Sequence, residues 1–100
     1  MPHFAIIARD APDSAAKRDA HRAAHFARVE QIMGQVAVAG PLKDDKGVII
    51  GSLIVLDVAD AAEARSLLES DPYFAAGVWA DIEIQPFLAA AGTWIGGKIW

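Results

Sequence analysis

Cysteine is absent from this 100-residue sequence. That one absence removes disulfides, thiol nucleophiles and cysteine-based zinc sites together. Long apolar runs are missing as well. The longest spans only a few residues, far short of the roughly 20 needed to cross a bilayer, so no membrane association is expected. Residues 1 to 10 show no basic segment followed by a long apolar stretch, hence no secretory signal, and a cytoplasmic protein is the expectation. Basic blocks are also lacking. Nine Lys and Arg stand against thirteen Asp and Glu, for a net charge of −4, which argues against nucleic acid as a partner.

What is present fits a globular chain. Hydrophobic residues make up 54% and charged residues 22%, a composition that can bury a core. Alanine supplies 21 of the 54, so the large apolar side chains are fewer than the total suggests. The length suits one domain over residues 1–100 with little surplus stability, which favours pairing with a second copy.

"HFAIIAR" (residues 3–9) reads as a first strand with isoleucines at its centre. Asp13 or Ser14 can cap the helix that follows, and no proline or internal glycine interrupts the chain from Ala15 to about Gly34. At 100° per residue, Arg22, His25, Phe26, Val29, Ile32 and Met33 share one side, which should face a sheet. Ala16, Ala20, Ala23 and Ala27 line the other. Gly34 is expected to end the helix. Residues 35–42 and 48–58 read as two strands of a hairpin across the polar turn "KDDKG". Asp60 with Glu63 resembles a capping box for a second helix through Ser70, stopped by Asp71-Pro72. "VWADIEIQPF" (78–87) alternates as a fourth strand.

The order β-α-β-β-α-β predicts a ferredoxin-like α+β fold, a four-stranded antiparallel sheet with two helices on one face. The other face would be left bare in a monomer, so a partner should cover it. The tail "LAAAGTWIGGKIW" (88–100) ends in apolar side chains and is expected to dock, most plausibly on a neighbouring subunit.

Three constellations bear on chemistry. His21 and His25 have the i, i+4 spacing of a zinc-binding helix, but Arg22 stands where the general-base Glu would be. Two ligands fall short of the three or four that zinc requires, so no metal is expected. His25 on an apolar helix face is either a core histidine bonded to a backbone carbonyl or an acid/base group oriented by a carboxylate. Asp71 is either an ordinary helix stop, with Tyr73 and Phe74 packing at the core edge, or the partner of that histidine. Gly40, Pro41 and Ser52 read as turn chemistry or as the wall of a pocket. "GTWIGGK" (92–98) matches the spacing of a phosphate-binding loop but lacks the following Ser or Thr and the helix, so it is rejected.

Taken in order, "RAAH" (22–25), "AGPL" (39–42), "GS" (51–52), "EAR" in the second helix, "DPYFAAGV" (71–78) and "IQPF" (84–87) resemble the YCII-related (YciI-like) family over about residues 3–87. The resemblance implies a dimeric α/β barrel and an active site built on a His–Asp pair. It selects His25 and Asp71 and leaves His21 outside the motif. On that footing the expected protein is a small cofactor-independent enzyme, homodimeric, of elimination (lyase) or isomerase type, acting on a small organic substrate. Arg22, Gly40, Pro41, Ser52 and Tyr73 are its candidate substrate-binding residues. The alternative is a non-catalytic dimeric module that binds a small ligand or a protein.

Overall fold

The computed structural model describes residues 2–100. Strands β1 (His3–Asp10), β2 (Val36–Lys43), β3 (Ile49–Asp57) and β4 (Trp79–Phe87) form one antiparallel sheet in the order β2-β3-β1-β4. Helices α1 (Ser14–Gln31) and α2 (Ala61–Glu69) connect them in the ferredoxin-like sequence. The fold is therefore α+β, as the residue pattern predicts. Alternation along the strands sets which side chains go inward, because successive residues point to opposite faces. Ile6 lies opposite both Ile54 and Ile84, and Phe4 opposite Leu56, so these residues share the helix-covered face. Ile6, Leu56, Val58 and Val78 are fully buried at its centre. The opposite face carries Ile7 and Leu53 opposite one another, both partly exposed, with Arg9 paired to Asp81 and Glu83 beside them.

Two expectations about the helices need correction. The inward stripe of α1 begins with Ser14 and Arg18, both buried, and continues through the partly buried His25 and Val29 to Ile32, the residue just past its end. Phe26 and Met33 are instead exposed, at 56% and 54%. The stripe is rotated because buried hydrogen-bond partners reward Ser14 and Arg18 for facing inward, and propensity does not register those partners. The helix also ends at Gln31, before Gly34. The chain then tightens into a 3₁₀ turn at Met33–Gln35.

The second correction concerns Asp71-Pro72, which does more than stop α2. It starts a further short helix, α3 (Pro72–Ala75), with Asp71 as N-cap accepting from the Tyr73 amide at 2.9 Å. Proline suits the first helical position, where no amide hydrogen is needed. Past β4, residues 91–92 (β5) and 97–98 (β6) form a small hairpin. Trp94, Ile99 and Trp100 on it remain exposed.

Candidate functional site

Beneath α1, between that helix and the β2–β3 half of the sheet, lies a cavity of about 300 Å³. Its walls are mostly aliphatic, with Val29, Ile32, Val36, Ile54, Leu56 and Leu67 contributing. Polar groups gather in one part of it. Such a cavity, apolar with a few convergent polar side chains, is the usual form of a small-molecule site.

His25 and Asp71 meet there. The His25 ring nitrogen Nδ1 lies 2.7 Å from Asp71 Oδ2 and 2.9 Å from Oδ1. An ionised carboxylate only accepts, so Nδ1 carries the proton and donates it, and in the neutral ring Nε2 keeps its lone pair. Two separate pieces of local structure make this contact. His25 is placed by the middle of α1, and Asp71 by the cap of α3. Asp71 Oδ1 serves both His25 and the Tyr73 amide, so the bond that starts α3 also fixes the carboxylate. Tyr73 stacks on His25 with centroids 3.9 Å apart and planes 9° from parallel, which holds the imidazole from its face as Asp71 holds it from its edge. Trp79 braces Tyr73 in turn, edge-on at 5.9 Å.

The remaining expected residues are placed as follows. Ser52 is buried on β3, opposite Pro41 in register, and both line the cavity together with Gly40. Arg22 lies at the cavity rim, exposed, with its guanidinium bonded to Asp19 at 2.7 Å. An exposed pair of this kind adds little stability. His21 is exposed one turn before His25 and does not line the cavity. Among the described residues no three His, Asp or Glu side chains cluster in a way that could hold a metal ion.

The buried cation of the site is Arg18, which the residue pattern does not single out. Its Nε and Nη2 each donate to Asp10 at 2.8 Å, and Nη2 also reaches the Gly51 carbonyl at 3.3 Å and Ser52 Oγ at 3.2 Å. The guanidinium carbon stands 5.2 Å from the Tyr73 ring centroid. Hydrogen bonding to Asp10 raises the Arg18 pKa above its ordinary value, with burial opposing and the Asp10 charge assisting. One signal for it was available. Arg18 lies seven residues before His25, two helical turns along the same line.

Residues 2–88 match the YCII-related domain family. Protein YciI of Escherichia coli O6:H1 is 33% identical over 92 residues, which covers 84% of this chain and 94% of that protein. An uncharacterised protein of Haemophilus influenzae is 31% identical over 93 residues, covering 85% and 95%. Among solved structures, the 5-chloro-2-hydroxyhydroquinone dehydrochlorinase TftG of Burkholderia phenoliruptrix, in complex with 2,5-dihydroxybenzoquinone, superimposes with a TM-score of 0.77 at 29% identity, over 91% of this chain and 96% of that one. Protein Atu4242 of Agrobacterium tumefaciens, at 16% identity and a TM-score of 0.55, shares the fold.

Proposed function

The chain belongs to the YCII-related family, and from that premise we propose that it is a small-molecule enzyme, cofactor-independent, of elimination (lyase) or isomerase type. His25 is its acid/base and Asp71 the carboxylate that orients it. The observation that carries this reading is the 2.7 Å contact between them beside a mostly aliphatic cavity. With Nδ1–H committed to Asp71, Nε2 takes a proton from the substrate. The imidazolium so formed is stabilised by the carboxylate at its other edge. In an elimination, the electron pair left behind expels an anionic leaving group, and the proton then passes to solvent or product. In an isomerisation it is returned to another carbon.

The similar dehydrochlorinase TftG supports the elimination branch and a ring-sized hydroxylated substrate. Gly40, Pro41, Ser52 and Tyr73 form the walls that hold such a molecule, and Arg22 meets an anionic group at the rim. The protein works as a homodimer in the cytoplasm. The sheet face turned away from the helices, with the partly exposed Ile7 and Leu53, is the surface a second copy would cover. Among the described residues no helix is long and apolar enough to cross a membrane.

The test is turnover. Chlorinated hydroxyhydroquinones and small lactones are screened with the unmodified protein, and the best substrate is then given to His25→Ala. A loss of about 10² to 10⁴-fold in kcat/KM is expected for a positioned acid/base. Full turnover by a correctly folded His25→Ala would sink the proposal.

A further inference from the structure

The cavity beneath α1 changes character along its length. Its polar lining side chains all keep to one part. Arg18 and Arg22 precede His25 on α1, Asp71 and Tyr73 touch it, and Ser52 is bonded to Arg18. Beyond Phe26 the lining is aliphatic, with Val29, Ile32, Val36, Leu56 and Leu67. The far end is closed where Ile32 follows α1 and Val36 stands opposite Leu56 in register. Two rulers give the length. From His25 to Ile32 the helical chain advances about 10 Å. From Ser52 to Leu56 strand β3 advances about 13 Å. A single six-membered ring seated against His25 is shorter than either, and stops short of Ile32 and Val36.

The chemistry of that far end narrows what reaches it. Protein interiors pack densely, and a void lined by aliphatic carbon forfeits contacts on one side. A cavity kept there is a cost unless a ligand brings apolar surface to it. Among the described residues, no side chain lining that end can donate or accept a hydrogen bond. A hydroxyl or a charge placed there would lose its water and gain no partner. Saturated carbon is matched instead, and each methylene it buries adds to affinity.

We propose that the aliphatic end is a second subsite, which takes an uncharged alkyl substituent of the substrate. The substrate class is then a hydroxylated ring bearing a short saturated chain on the side remote from the reacting carbon. The ring lies against His25, and the chain runs along α1 past Val29 towards Ile32 and Val36. Leu67 of α2 and Leu56 of β3 pack on the chain from the other sides. This inference rests on the reading of His25 as the reacting group, which sets where the ring sits. Binding tests it apart from turnover.

The probes are 4-alkylresorcinols from methyl to hexyl, titrated by calorimetry. Affinity should rise about threefold with each added methylene, then level off once the chain fills the far end. The heat capacity change of binding should grow more negative over the same members. Val36→Phe shortens the subsite. It should cost the longer members about tenfold or more and leave the methyl member within about twofold. Because that variant can weaken the fold, methyl NMR signals of the unmodified protein give a second readout. Those of Ile32, Val36 and Leu67 should move with the butyl member and stay in place with the methyl one. A flat series, unmoved signals at Ile32 and Val36, or shifts confined to Ile95 and Ile99 of the exposed tail each overturn the proposal. An undiminished gain in folded Val36→Phe overturns it as well. Full turnover by His25→Ala would count against the reaction and leave the chain-length gain standing.

Discussion

At the scale of single residues, the atom that matters most is Asp71 Oδ1, which serves a helix cap and an imidazole together. Asp71→Asn separates those two duties. The amide oxygen can still accept from the Tyr73 amide, but the amide nitrogen then faces His25 Nδ1 and donates to it. The ring is driven to carry its proton on Nε2, and the proposed base becomes a donor. Stability should fall by less than about 1 kcal/mol, since Asn caps nearly as well as Asp. Turnover should fall by orders of magnitude, and parallel denaturant melts and kinetics would check both halves. Tyr73 gives a second case. Its hydroxyl lies 3.4 Å from the Arg18 carbonyl, a weak bond, whereas its ring stacks closely on His25. Tyr73→Phe should keep activity within a few-fold, and Tyr73→Leu should lose much more. Equal losses in the two variants would point to the hydroxyl rather than the stack.

Between elements, the strands were the most readable part of the sequence, because the short apolar run of residues 3–9 and the period-2 alternation from Val78 to Ile84 depend on local order alone. Helix α3 was not readable. Asp-Pro ends α2 and begins α3 with the same two residues, and a four-residue helix leaves no periodicity to detect. Arg18 was missed for a related reason. A charged residue in an alanine-rich helix looks solvated until Asp10, Gly51 and Ser52 are known to surround it, and they come from two strands. By contrast, the proximity of His25 to Asp71 was legible only through the family resemblance, since no local rule links positions so far apart. Gly51 shows how tightly these elements meet. A Cβ placed there would stand 2.5 Å from the Ala8 carbonyl oxygen, inside backbone that cannot swing away. Gly51→Ala should cost about 1–3 kcal/mol by overpacking. It should also disturb Ser52 and Arg18 at the cavity, so turnover should fall together with the unfolding midpoint.

For the molecule as a whole, the uneven distribution of apolar surface carries the prediction. One sheet face is packed under helices. The other shows Ile7 and Leu53 in register, and the hairpin beyond β4 leaves Trp94 82% and Trp100 74% exposed. A two-stranded hairpin of this size is marginal alone, so burial against a second copy would stabilise it. Sedimentation should show a dimer at micromolar concentration. Removal of residues 89–100 should weaken that dimer while leaving the secondary structure of the body intact. A dimer of unchanged affinity would mean the sheet face alone supports association and the tail does something else.

The double duty of Asp71 also predicts how tolerant this position is to change. In a saturation scan of residue 71 scored for abundance, Asn, Ser and Thr should survive beside Asp, because each can cap α3. Scored for turnover, the same library should collapse to Asp. The gap between the two profiles would measure, at one position, how much of the constraint comes from the proposed chemistry and how much from folding.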